Sequence, residues 1–222
     1  LYVGHLFTVE HWTFIHYHTK FGGKHMKISP TLTEVKEIAK TGKYDILPVS
    51  CEILSDFITP IEAMRILQNV STHCYLLESA QANEAWGRYT FLGYNPKLEI
   101  NCIDGHMKLG KLSVETENPS EYIRQILSEY KSPKFDYLPS FTGGLVGYFS
   151  YDYLGYKEKS IRGKARDTED FKDVDLMLFD KVIAFDNLCQ KIILIANMSL
   201  DAPETGYNKA IVELKQLREL LM

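Results

Sequence analysis

The dipeptide Asp104-Gly105 constrains this chain more than any other pair of residues. It separates two short runs, Leu98 to Ile103 and His106 to Leu109, that are rich in apolar and branched side chains. An Asp-Gly connection between such runs favours positive φ at both central positions and predicts an antiparallel hairpin. A parallel pair needs a crossover of a dozen or more residues, which two residues cannot supply. The segment "DNLCQ" (Asp186 to Gln190) separates Leu176–Phe185 from Lys191–Ala196 and predicts a second hairpin. Tyr44 to Val49, His73 to Glu78 and Arg88 to Leu92 are further short strand signals. Strands thus arrive in hairpins, without a regular strand–helix alternation. The pattern predicts an α+β fold of antiparallel sheets packed with helices, and it argues against a Rossmann or barrel fold.

Helix starts are marked just as locally. "TLTE" (Thr31 to Glu34) has the spacing of a capping box, with Val35, Ile38 and Ala39 on the apolar stripe and Gly42 as the stop. "TPIE" (Thr59 to Glu62) places Thr59 at the N-cap and Pro60 at the first helical position, ahead of Ala63, Ile66 and Leu67. Asn118-Pro119 opens a third helix with Ile123, Ile126, Leu127 and Tyr130 at helical spacing. A fourth runs from Pro203 to the end on Tyr207, Ile211, Leu214, Leu217 and Leu221. The charged stretch Lys157 to Asp175 reads as a solvated loop.

Charge and composition exclude several classes. A formal charge of -4 and a pI near 6.0 give no basic footprint, which disfavours nucleic acid as the main partner. No apolar run approaches the roughly 18 residues of a membrane span. The four cysteines, Cys51, Cys74, Cys102 and Cys189, form no C-x-x-C pair, so buried thiols in a reduced, cytoplasmic protein are expected in place of a zinc site or disulfides. Residues 1–25 differ from the rest: they hold most of the histidines and show no clear period. They read as a non-native or tag-like extension ahead of Met26, with residues 26–222 as the domain. His16 and His18 are an i,i+2 pair that lacks a third metal ligand in the sequence.

Most familiar catalytic patterns are missing. "FTGGLVGYFSYDYLGY" (Phe141 to Tyr156) has four glycines but neither the P-loop nor the dinucleotide spacing. It reads as a β segment whose Gly143, Gly144 and Gly147 allow another backbone or a ligand to come close. No G-x-S-x-G elbow occurs, and after Met26 the histidines are His73 and His106, beside a strand and a turn. The stretch "YLLES" (Tyr75 to Ser79), followed by "GRYTFLG" (Gly87 to Gly93), carries more chemistry. Glu78 suits an ammonium, Ser79 both donates and accepts, and Arg88 either balances Glu78 or meets a carboxylate. Such a set fits a zwitterion such as an amino acid. A surface Glu78–Arg88 pair flanking a strand turn fits the same residues.

The ordered segments "YDILPVSCEILSDFITPIEAMRIL", "LLESA", "WGRYTFLG", "FTGGLVGYFSYD" and "DLMLFDKVIAFDNLCQKIIL" resemble the N-terminal region of the anthranilate synthase component I family, and to a lesser degree its sister, 4-amino-4-deoxychorismate synthase component I. The resemblance runs from Met26 to the C-terminus. It implies an α/β sandwich shared with a C-terminal chorismate-binding region that is absent here, and a feedback site for L-tryptophan. The family's Leu-Glu-Ser tryptophan motif falls on Leu77, Glu78 and Ser79, and its basic pocket residue falls on Arg88, or on Tyr89 after a one-residue shift. The remaining tryptophan contacts, the catalytic His and Glu and the carboxylates that hold Mg2+ have no counterpart in this sequence. The expectation is a regulatory and scaffold portion, inactive alone, whose partners are L-tryptophan, its own C-terminal region and a glutamine amidotransferase component II. A stand-alone amino-acid-binding module is the rival of a different class.

Overall fold

The computed structural model describes residues 26–78, 87–158, 160 and 171–222, together with the backbone of β1 (Leu6–Val9) and β2 (Trp12–Ile15), which pair antiparallel. His16 and His18 lie outside the described residues, as does most of the charged loop. The remaining strands form two antiparallel sheets. The six-stranded sheet has the order β3 (Ile28–Ser29), β4 (Ile46–Leu54), β13 (Lys191–Ser199), β12 (Lys181–Asp186), β6 (Tyr89–Tyr94), β5 (Cys74–Glu78). The five-stranded sheet has the order β10 (Gly144–Phe149), β11 (Val174–Phe179), β7 (Leu98–Ile103), β8 (His106–Leu109), β9 (Leu112–Glu115). The helices are α1 (Leu32–Lys40), α2 (Pro60–Gln68), α3 (Pro119–Ser128) and α4 (Pro203–Leu221), and a 3₁₀ turn spans Tyr151–Tyr156. The fold is α+β with antiparallel sheets, as the hairpin signals require.

Local chemistry sets the element starts. Thr31 and Glu34 form both halves of the capping box, with Thr31 N–H donating to Glu34 Oε2 at 2.7 Å and Glu34 N–H to Thr31 Oγ1 at 3.4 Å. Thr59 Oγ1 accepts from Glu62 N–H at 3.2 Å, and Pro60 stands at the first helical position. Asn118 precedes α3 without capping its backbone; its Oδ1 accepts from the Ser120 hydroxyl at 2.7 Å. Asp104 and Gly105 both have positive φ, 50° and 89°, the geometry of the two-residue turn.

Packing follows the apolar stripes. Val35 of α1, Ala63 and Leu67 of α2, and Leu214, Leu217 and Leu221 of α4 are buried on one face of the six-stranded sheet, against Leu47, Val49, Leu92, Ile183 and Leu194. Each such side chain contributes about 1.5–3 kcal/mol by leaving water. α3 covers the second sheet through Ile123, which packs with Ile100, Met107 and Leu176. Leu127, placed on the same stripe by the sequence, is 44% exposed, because the face it occupies has no sheet beneath it. The other face of the six-stranded sheet carries Val182, Ala184, Ile193 and Ile195 beneath Leu138, with Phe91 and Phe141 at its margin.

Several elements differ from the sequence reading. The run Leu176–Phe185 is two strands in different sheets, separated at Asp180. The Asp180 carbonyl accepts from Asn197 N–H at 2.8 Å and from Asn197 Nδ2 at 3.0 Å, which pins the crossing point. Only the polar pair Asp180-Lys181 interrupts the apolar residues on either side of the crossing. β4 continues past Val49 to Leu54 because β13 pairs with it throughout, up to Lys191 opposite Leu54. β3 meets only Ser50 and Cys51 of β4, so Pro48 occupies a stretch where a missing N–H costs no ladder bond. β9 was unmarked in the sequence. The glycine-rich segment is strand β10, and a Cβ on Gly147 would overlap the Asp175 carbonyl oxygen and lie 2.9 Å from Leu176 Cα. Another backbone, not a ligand, takes the space of that missing side chain.

Candidate functional site

β5 and β6 are neighbours, with Leu77 opposite Phe91 and Glu78 opposite Thr90. Leu77 is 46% exposed, on the face of the sheet away from the helices. Glu78 closes β5, and Arg88 stands immediately before β6. Leu77, Glu78 and Arg88 therefore gather at one end of the six-stranded sheet. Ser79 lies outside the described residues, as does the rest of the connection through Trp86.

Arg88 is committed to a different acid from the one the sequence offered. Its Nε donates to Asp186 Oδ1 at 3.1 Å and its Nη2 to Asp186 Oδ2 at 2.7 Å. The Asp186 side chain is wholly buried, while the Arg88 side chain is 35% exposed. Burial pushes the Asp186 carboxyl up, but the Arg88 hydrogen bonds and the Cys189 N–H outweigh it and leave the carboxyl below its ordinary value. The same hydrogen bonds raise the Arg88 guanidinium.

The turn after β12 completes this grip. Cys189 N–H donates to Asp186 Oδ1 at 3.0 Å, and Arg88 Nη2 approaches Cys189 Sγ at 3.6 Å. Asn187 N–H donates to the Arg88 carbonyl at 2.9 Å, and Asn187 Nδ2 to Thr90 Oγ1 at 3.3 Å. Residues 87–90, where the chain re-enters the sheet after the connection, are thus held by Asp186, Asn187 and Cys189.

An aromatic surface adjoins this corner. Tyr75 lies opposite Gly93, and a Cβ on Gly93 would stand 2.7 Å from Tyr75 Cζ, so the ring needs the glycine. Tyr75 meets Phe179 edge-on at 4.7 Å, and Phe91 meets Phe141 at 5.5 Å. Tyr89 lies 5.8 Å from Phe91, and the Arg88 guanidinium sits 4.9 Å from the Tyr89 ring centroid. Such a surface, bordered by Glu78 and Arg88, suits an apolar or aromatic group carrying a charged end. Sequence reasoning passed over Asp186 and these rings. A signal existed for the rings: alternation places Tyr75 and Leu77 on one face with Tyr89 and Phe91 across from them.

The other titratable candidates have local partners. His73 Nδ1 lies 3.4 Å from Glu99, and His106 pairs with Glu115 on the surface. The cysteines form no disulfide: Cys51 and Cys102 are buried, Cys74 is half-buried and Cys189 is exposed, so the expected burial fails at Cys189. Burial pushes the Cys51 thiol up to about 12, which makes it inert. Among the described residues no group of three or more His, Cys, Asp or Glu side chains could hold a metal ion. Among the described residues no helix is long and apolar enough to cross a membrane.

A two-sheet α+β domain with a charged, aromatic-lined corner at one sheet end is the class these features define. Over most of its length the chain is similar to part of anthranilate synthase component 1. It is 34% identical to the Acetivibrio thermocellus "Anthranilate synthase component 1" over 198 residues, covering 86% of this chain and 39% of that relative. The Pseudomonas aeruginosa protein of the same name is 36% identical over 186 residues, covering 80% and 37% of the two chains. The chain thus spans about two-fifths of the length of these relatives. The crystal structure of anthranilate synthase component I from Streptococcus pneumoniae aligns with a TM-score of 0.48 and 26% identity, over 75% of this chain and 36% of that one. No family model matches.

Proposed function

We propose that this chain is the N-terminal regulatory and scaffold portion of an anthranilate synthase component I and holds part of its L-tryptophan feedback site. The observation that carries the reading is the homology over 80–86% of the chain, aligned with only 37–39% of each relative. The complete protein would convert chorismate and ammonia to anthranilate, pyruvate and water in the cytoplasm, with Mg2+ as cofactor. A glutamine amidotransferase component II would supply the ammonia. The catalytic groups would belong to a chorismate-binding region outside these residues, so residues 26–222 carry no chemistry of their own.

In this reading Leu77 and the aromatic surface receive the indole, Glu78 meets the ammonium, and Ser79 and Arg88 complete the polar contacts. Tryptophan inhibits by binding more tightly to a state that turns over poorly, because a ligand shifts an equilibrium only by its difference in affinity for the two states. The test is to supply chorismate, ammonia and Mg2+ to protein expressed from the full reading frame and to identify the product by chromatography. Anthranilate is expected. Accumulation of aminodeoxychorismate would instead assign the chain to the sister synthase of folate biosynthesis, and lack of chorismate turnover would favour the amino-acid-binding module.

A further inference from the structure

Glu78 and Arg88 carry opposite charges and occupy diagonal positions on adjacent strands: Glu78 faces Thr90, and Arg88 precedes Thr90 by two residues. Diagonal cross-strand neighbours stand about 7–8 Å apart, within reach of long side chains. Left to itself, Arg88 would swing onto Glu78. Yet its Nε and Nη2 are both used by Asp186, at 3.1 and 2.7 Å. Asp186 wins the competition for a physical reason. Its carboxylate is wholly buried and would be stranded without a cation, whereas Glu78 is exposed and satisfied by water.

We propose that Asp186 is a positioning residue that sequesters Arg88 and so keeps the Glu78 carboxylate open to the ammonium group of a ligand. Asn187 assists by holding the Arg88 carbonyl and Thr90 Oγ1, at 2.9 and 3.3 Å, which fixes the backbone from which Arg88 reaches Asp186. With both Asp186-facing nitrogens occupied, Arg88 offers a ligand only the remaining edge of its guanidinium. A ligand cation is therefore read by Glu78 without competition from the neighbouring arginine. The ligand arm of this proposal rests on the tryptophan reading; the charge-sequestering arm does not.

The experiment uses the 222-residue chain. The carboxyl-carbon NMR resonance of Glu78 is followed at neutral pH in wild type, Asp186→Asn and the double variant Asp186→Asn/Arg88→Met. In Asp186→Asn the resonance shifts as Arg88 turns to the carboxylate, and it returns to its wild-type position in the double variant. A merely structural role for Asp186 would not produce that rescue. An unchanged resonance in Asp186→Asn, or one that stays displaced in the double variant, overturns the proposal. Should Asp186→Asn fail to fold, the Arg88 Nε–H resonance decides. It is expected to keep its position in Glu78→Gln, and a resonance displaced by that substitution overturns the assignment.

L-Tryptophan added to the same samples separates the two readings. If it shifts Glu78 signals in wild type, the response should weaken at least fivefold in Asp186→Asn and recover in the double variant. A response equal in wild type and Asp186→Asn sinks the role of Asp186 in binding alone. No response in any sample, with the Glu78 resonances as expected, is the outcome the half-site reading gives for this chain alone and leaves the charge sequestration standing.

Discussion

Tyr75 lies across Gly93, its cross-strand partner, with Cζ 2.7 Å from where a β-carbon would stand. The ring fills the space that glycine leaves, and in doing so it reaches Phe179 at 4.7 Å and Phe141 at 6.4 Å. Gly93→Ala should therefore force the buried ring aside and cost about 1–3 kcal/mol as overpacking. Urea denaturation would show it as a lower midpoint at unchanged slope. Equal stability would mean that Tyr75 moves freely, contrary to its packing.

The Tyr75 hydroxyl is buried and has no hydrogen-bond partner among the described residues, and burial raises its pKa. An unmade buried hydrogen bond costs about 1–3 kcal/mol, so Tyr75→Phe should be neutral or stabilising. Thermal unfolding of that variant gives the answer, and a loss of stability would reveal an unseen partner for the hydroxyl.

The Arg88–Asp186 pair predicts an asymmetry. Arg88→Ala strands a wholly buried carboxylate and should cost about 3 kcal/mol, the low end for a buried pair because Arg88 is itself 35% exposed. Asp186→Asn leaves a cation that can turn to the exposed Glu78 and should cost less. Denaturant midpoints of the two variants test the order, and the reverse order would contradict the burial argument.

Acid should expose the same pair. The Asp186 carboxyl titrates lower when folded than its unfolded value, near about 3.9. Its stabilising contribution is therefore full above that unfolded value and is lost as pH falls through the lower, folded one. Wild type should lose stability on acidification more steeply than Asp186→Asn below about pH 4. Parallel acid limbs in the two proteins would contradict the depressed carboxyl.

Much of this architecture was legible in the residues. Asp104-Gly105 announced its hairpin because only certain residues accept positive φ, and Thr31, Glu34, Thr59 and Pro60 announced two helix starts because unpaired N–H groups need side-chain acceptors. Asp180 announced little, since two polar residues within an apolar strand-like run do not tell a change of sheet from a solvent-facing stretch. Leu77, Glu78 and Arg88 stand at one sheet end, but the partner of Arg88 lies 98 residues away at Asp186. Local spacing made Glu78 the obvious partner. Burial, which a single sequence does not display, decides for Asp186.

On the proposed reading, Ser79→Leu in the full-length protein should relieve inhibition by L-tryptophan while anthranilate formation remains measurable, since it removes a proposed effector contact and no proposed catalytic group. Normal inhibition in that variant would remove Ser79 from the site. For the 222-residue chain alone, L-tryptophan binding should be weak or undetectable by calorimetry, because on that reading other segments of the full-length protein would complete the pocket. Micromolar affinity would contradict the half-site account.

The most direct test of the regulatory reading is the dependence of anthranilate formation on L-tryptophan in the complete protein, measured for wild type and Glu78→Gln. The account predicts that wild type is inhibited, and that Glu78→Gln needs at least about tenfold more L-tryptophan for half-inhibition, the loss of one charge-assisted contact to the ammonium. Identical inhibition curves for the two proteins would contradict it.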